Sequence, residues 1–292
     1  MNIFNISDLY INKFKLLPKN LYLKLYSPAL IYMNYETLKI SIKKNIAYII
    51  FNRPKRLNSF DMKLGIELYN ALKKINKKNE IRAVIIKGTG KGFCGGGDVK
   101  EMHIAKDKPR FLRELTKVIH KCVKEMRNME KPIIAVVNGY AFGAGFSIAL
   151  ACDIIIAAKE AKFGTAFVGI GLAPGCGTQF LTNIVGYHKA CEYIFTSKTF
   201  NAEHALKIGI VNKVVDLDEL DSSVEEIVSK FKKLPPIAIG KAKMLINKSM
   251  ENNMVNHLEL ESKTASFSAG TKDFKEGVAA FVEKRKPVFK GE

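Results

Sequence analysis

The chain has 292 residues, enough for one large domain or a core with an appendage; 47% are hydrophobic and 26% charged, which excludes wholesale disorder. Lys and Arg number 47 against 28 Asp and Glu, a formal net charge of +19 that suits an anionic partner such as a phosphorylated small molecule. The charge is spread without a long basic block or interleaved aromatics, so a solvated surface explains it more simply and no nucleic-acid partner is expected.

Residues 1–34 read differently from the rest, with Lys13, Lys15, Lys19 and Lys24, a single acid (Asp8), and many Tyr, Leu, Asn and Ile. No continuous apolar stretch follows a basic start, which argues against a secretory signal. Two readings remain for this extension: a presequence or accessory arm, or a start placed too far upstream with Met33 the true beginning. Regular domain sequence begins right after Met33, which favours the second.

From Tyr35 the pattern is regular. Ile46–Phe51 is an apolar, β-branched run stopped by Asn52-Arg53-Pro54, which predicts a strand. Asp61 is placed to cap a helix in which Leu64, Leu68, Leu72 and Ile75 recur at helical spacing. Arg82–Lys87 predicts a second strand, and the turn after it carries Gly88, Gly90, Gly92, Gly95, Gly96 and Gly97. A long helix over Pro109–Met129, a strand over Ile133–Val137 and a turn at Asn138-Gly139-Tyr140 come after it. A helix from Gly143-Ala144-Gly145 to Cys152 and a strand over Asp153–Ala158 are next. Strands alternating with helices predict a largely parallel sheet buried on both faces. Beyond Asp216 the patterns are helical to the end, broken at Pro235-Pro236 and Gly270-Thr271. The expected organisation is thus an extension over 1–34, a core over 35–216 and a helical region over 217–292.

Five cysteines (Cys94, Cys122, Cys152, Cys176 and Cys191) are an odd number with no C-x-x-C pair, against a disulfide scaffold or a zinc site. Free thiols point to a reducing, cytoplasmic compartment, or an organellar one if residues 1–34 are a presequence. Apolar runs such as Ile133–Val137 are far too short to cross a bilayer, so no membrane association is expected.

Two glycine-rich turns, each after a strand, carry the chemistry: Phe93-Cys94-Gly95-Gly96-Gly97-Asp98-Val99-Lys100 and Asn138-Gly139-Tyr140-Ala141-Phe142-Gly143-Ala144-Gly145. Turns without side chains leave N–H groups pointing outward, and a helix start adds partial positive charge. Two such turns from adjacent strands are able to aim two N–H groups at one oxygen, an oxyanion hole. Either turn alone reads as tight packing, and neither supplies G-x-G-x-x-G with an acid about twenty residues later.

Together with Asn52-Arg53-Pro54-Lys55-Arg56-Leu57-Asn58, Phe93–Met102, Lys131–Ala151 with Cys152-Asp153, Phe163–Leu181 and the closing Ala280-Phe281-Val282-Glu283-Lys284-Arg285-Lys286-Pro287, the chain from Tyr35 to Phe289 resembles the enoyl-CoA hydratase/isomerase (crotonase) superfamily. The resemblance implies an α/β crotonase-like spiral of repeated ββα units, with a helical C-terminal region that joins three copies, or two stacked trimers. It implies an acyl-CoA thioester substrate, with coenzyme A arriving as part of that substrate and no separate cofactor or metal. The backbone N–H groups of Gly97 and Ala144 would stabilise a thioester enolate. Lys55, Arg56, Asp98, Val99 and Lys100 would lie along the CoA moiety, and Lys284 would reach a CoA phosphate.

The sequence departs from the family at its acids. The hydratases' two glutamates correspond to Ser147 and Phe167, and the acid that some isomerases and dehalogenases place after an Ile/Leu-x-Pro segment corresponds to Gly175. Paired carboxylates activate water and protonate the α-carbon, so two-Glu hydration is not expected; Glu at both 147 and 167 should raise it, provided the pocket accepts them. By the same resemblance His120 is the best remaining base, with Ser147 beside the acyl group as a hydrogen-bonding residue; Cys176 reads as buried filler, and His103, His188, His204 and His257 as surface histidines. The text around both turns looks closest to isomerase-like members acting on aryl- or alkyl-enoyl-CoAs. The alternatives are a non-catalytic acyl-CoA-binding protein and a His-assisted decarboxylase or thioester hydrolase.

Overall fold

The computed structural model describes residues 35–292; the expectations placed on residues 1–34 lie outside it. Five long strands build the main sheet: β1 (Leu38–Lys43), β2 (Ile46–Phe51), β3 (Ala83–Gly88), β5 (Ile133–Val137) and β7 (Ile154–Ala158), completed by β10 (Lys213–Val215) in the order β1-β2-β3-β5-β7-β10. β1 and β2 pair antiparallel, and every later neighbour pairs parallel. Alternation along a strand divides the core between the two faces. Val84 and Ile86 of β3 face the larger cluster, with Leu64, Leu68 and Leu72; Ala83 and Ile85 face Leu220, Val224 and Val228.

A second sheet of three-residue strands positions the site: β4 (Gly92–Cys94), β6 (Tyr140–Phe142), β8 (Lys162–Gly164) and β9 (Thr199–Asn201), in that order. Each long strand of the middle of the chain (β3, β5, β7) bends within a few residues into a short one (β4, β6, β8), and these three pair parallel. The glycine content predicts loops at both glycine-rich segments. The structure corrects this, since each contains a strand whose backbone groups are used in the second sheet.

Helix α1 (Met62–Asn76) starts at Asp61 as expected, whose carboxylate accepts the Leu64 N–H at 2.7 Å. α2 (Val99–Ile104) and the long α3 (Lys108–Asn128) come after β4, and α4 (Ala144–Ala151) comes after β6 with every residue buried. α5 (Thr178–Val185), α6 (Tyr187–Phe195) and α7 (Ala202–Lys207) lead to β10. α8 (Leu220–Lys232), α9 (Pro236–Ser249), α10 (Met254–Ala269) and α11 (Lys272–Val282) complete the described chain. The breaks fall where Pro235-Pro236 and Gly270-Thr271 put them. The buried Lys243 of α9 ties it to the core, with its ammonium 2.7 Å from Asp153 and 3.0 Å from the Lys131 carbonyl.

Candidate active site

Three neighbouring parallel strands end side by side, and the backbone just past their ends builds the site. β4 leads into Gly95–Asp98, β6 into Gly143 and Ala144, and β8 into Thr165–Phe167. The two glycine turns touch directly. A Cβ on Gly143 would lie 3.6 Å from the Gly96 Cα, and one on Gly145 would lie 2.3 Å from the Cys94 carbonyl oxygen, so side chains are excluded where the turns meet. Gly143, with φ of 50°, turns the chain into α4, and its N–H goes to the Gly164 carbonyl at 3.0 Å. The first turn is held from below: Phe60 N–H donates to the Gly96 carbonyl at 2.7 Å and Asp98 N–H to the Phe60 carbonyl at 2.8 Å. The N–H groups of Gly97 and Ala144 have no acceptor among the described residues.

A charged cluster fixes the first turn. Arg53 reaches Asp61 at 2.7 Å and Asp98 at 3.2 Å and also contacts the Ser59 carbonyl. The Asp98 carboxylate also accepts the Lys100 N–H at 3.2 Å and so starts α2. Fully buried Asn58 braces the same corner, donating to the Thr89 carbonyl at 2.9 Å and the Gly92 carbonyl at 2.8 Å. The Asp98 side chain is 4% exposed and committed to Arg53 and α2, which leaves its backbone as the part that would lie along a ligand. Lys55, Arg56, Val99 and Lys100 are exposed around it, with Arg56 4.0 Å from Asp98. Lys284 sits apart, exposed beyond the end of α11, with no hydrogen bond to either turn. Nearby Glu101 carries no motif that marks it in the sequence; burial, then Asp61 and Asp98, hold its carboxyl above the usual range.

Ser147, Phe167, Cys176 and Gly177 meet around a cavity of about 10 Å³, room for about one water. Its walls also include Phe146, Leu150, Leu181 and Ile194, and no Asp or Glu lines it. The Ser147 hydroxyl donates toward the Cys176 carbonyl at 2.8 Å, with that of Gly143 at 3.1 Å. Gly177, with φ of 89°, presses against it; a Cβ there would stand 2.5 Å from the Ser147 Oγ. Gly175 lies in the same loop, and a Cβ on it would meet Thr116 at 2.9 Å. Its carbonyl accepts from His120 Nε2 at 2.6 Å, so that nitrogen carries the proton and only Nδ1 is left to act as a base. His120 thus also holds the loop that carries Gly175. His204 is likewise partnered, by the Tyr193 hydroxyl at 2.7 Å.

Burial pushes the Cys94 and Cys122 thiols up to about 12 and raises that of Cys176, so these are poor nucleophiles. Roomier clefts of about 380 and 460 Å³, both bordered by Arg127, Phe180 and Asn247, include neither Gly97 nor Ala144. Among the described residues no cluster of His, Cys, Asp and Glu is arranged to hold a metal ion, and no helix is long and apolar enough to cross a membrane.

Comparison with known proteins gives a consistent result. Residues 41–292 match the family model described as enoyl-CoA hydratase/isomerase. A short-chain-enoyl-CoA hydratase of Clostridium acetobutylicum is 38% identical over 256 residues, 87% of this chain and 97% of that one. A 1,2-epoxyphenylacetyl-CoA isomerase of Escherichia coli is 32% identical over 88% of this chain and 99% of its own length. Among solved structures, an enoyl-CoA hydratase from Bacillus anthracis superposes with a TM-score of 0.84 at 33% identity, covering 88% of this chain and all of that one.

Proposed function

The chain belongs to the enoyl-CoA hydratase/isomerase family, and from that premise we propose that Gly97 and Ala144 donate their N–H groups to the carbonyl oxygen of an acyl-CoA thioester and stabilise its enolate. The observation that carries this reading is the pair of N–H groups without acceptors, at the ends of adjacent parallel strands whose turns are in contact. Neighbouring strands run about 4.8 Å apart, so two such groups come within reach of one oxygen. Preorganised donors of this kind act where charge develops in the reaction. The exposed cations Lys55, Arg56 and Lys100 surround the first turn and suit the phosphates of CoA, while Lys284 is a candidate only if another copy brings it near.

The cavity beside Ser147 and Phe167 offers no carboxylate pair, so the reaction favoured is an enolate rearrangement such as double-bond isomerisation rather than addition of water, with His120 Nδ1 the group that would take the proton from one carbon and return it to another. Coenzyme A enters as part of the substrate and no further cofactor takes part. The exposed apolar residues of α10 and α11, Leu258, Phe267, Phe281 and Val282 among them, fit a homotrimer or a dimer of trimers. The five free cysteines fit a reducing cytoplasm.

The test is incubation of the purified protein with CoA thioesters, read by thermal unfolding and by mass spectrometry of the products. Ligand at a hundred times its Kd should stabilise the fold by about 2.7 kcal/mol. A thioester isomerised without hydration supports the reading, and binding without turnover leaves an acyl-CoA-binding protein. Ordinary crotonyl-CoA hydration, or no stabilisation by any thioester, overturns it.

A further inference from the structure

We propose that Phe167 decides which acyl groups this site accepts and limits it to short ones. This rests on the acyl-CoA reading above and adds the substrate class. The ring is held in place from its own backbone. Ala166, the residue before it, is left-handed with φ of 55°, a conformation a non-glycine residue keeps only when its surroundings enforce it. The buried Thr165 hydroxyl supplies part of that enforcement by donating to the Tyr193 carbonyl at 3.2 Å. The chain then enters the 3-10 turn Val168–Ile170, and the Phe167 ring comes to lie over the second glycine turn. Its Cε1 stands 3.7 Å from where a Cβ on Gly143 would be, one residue before the Ala144 N–H.

A carbonyl oxygen on that N–H brings the next two carbons of the acyl group up to this ring. Beyond it lies the cavity of about 10 Å³, and the inner part of its wall is closely packed. Phe146 and Leu181 are each 1% exposed, and Ser147 is tied to the loop over it. Close-packed walls of this kind do not yield by a methylene without cost. Phe167 is different, being a large side chain that is only half-buried and is followed by the exposed residues Val168–Ile170. Each methylene that finds no apolar space forfeits about a fourfold gain in affinity, so a closed rim discriminates strongly against longer chains.

The experiment is calorimetric titration of the full chain with CoA, acetyl-CoA, butyryl-CoA and octanoyl-CoA, for the native protein and for Phe167→Ala, Phe167→Leu and Phe167→Tyr. The native protein and Phe167→Tyr should prefer acetyl- and butyryl-CoA to octanoyl-CoA. Phe167→Ala should improve octanoyl-CoA at least tenfold relative to acetyl-CoA while CoA itself changes less than twofold; Phe167→Leu falls between and serves if the alanine variant does not fold. A merely structural role would weaken all four ligands together, and that outcome overturns the proposal. So does an unchanged ranking in Phe167→Ala, or a native protein that prefers octanoyl-CoA. If the native protein binds neither CoA nor any thioester, the acyl-CoA reading itself falls and takes this one with it.

Discussion

At the scale of single residues, Ser147 shows how packing limits chemistry. A carboxylate there would stand where the Cys176 carbonyl and the Gly177 backbone already are, with the Ser147 Oγ 2.8 Å from that carbonyl. The condition on which Glu at 147 and 167 would raise hydration, a pocket that accepts both, is therefore hardest to meet at 147. A glutamate at 147 is larger than the space, and its charge would face carbonyl oxygens instead of donors. Ser147→Glu should destabilise the fold by about 2 kcal/mol in urea unfolding and add no crotonyl-CoA hydration. A Ser147→Glu/Phe167→Glu protein of native stability that hydrates crotonyl-CoA would show that the loop moves aside easily.

At the scale of elements, two carboxylates of the last helix hold the tail after it, Asp273 at its far end, where it accepts the Lys290 and Gly291 N–H groups at 2.7 and 2.8 Å, and Glu276 nearer the helix. Glu276 of α11 takes both Arg285 guanidinium nitrogens, at 2.6 and 2.8 Å, and the Val288 N–H at 2.9 Å. These donors hold its carboxyl down at about 2, well under the usual 4.5. A depressed carboxylate stabilises the folded arrangement above its unfolded value and loses that contribution as pH falls through the folded one. The stretch 285–288 should accordingly loosen between about pH 4.5 and pH 2, and Glu276→Gln should loosen it at pH 7. Hydrogen exchange of the Val288 amide reads both, and an equally protected Val288 N–H in Glu276→Gln would refute the coupling. The helices themselves are legible in the sequence because Leu64, Leu68, Leu72 and Ile75, or the proline pair at 235–236, speak through spacing and capping. The strands Gly92–Cys94 and Tyr140–Phe142 are not, since three residues carry no periodicity and glycine there reads as a turn. The candidate site is legible as two glycine turns. The hydrogen bond of His120 to Gly175, between residues 55 apart in the chain, is not, because spacing cannot say which ring nitrogen faces what.

For the whole molecule, the last two helices leave several large apolar side chains in water. Phe281 is 86% exposed, Met254 74%, Val282 73% and Val255 70%, all on α10 and α11. A single chain that left so many large apolar groups in water would be prone to association. Light scattering should therefore give a mass of three, or six, times the 32.6 kDa of one chain. A monodisperse monomer at micromolar concentration would contradict this, and Phe281→Asp with Val282→Asp should shift the native assembly toward smaller species.

The two sheets also differ as clocks. Five of the six strands in the main sheet have five or six residues, whereas all four strands of the second sheet have three. A three-residue strand is anchored by few ladder bonds, and such segments open at a fraction of the free energy needed to unfold a protein globally. The scaffold should keep its amide protons for long periods while Gly92–Cys94 and Tyr140–Phe142 exchange theirs sooner. The layer that delivers both glycine turns would then breathe without loss of the fold that carries it.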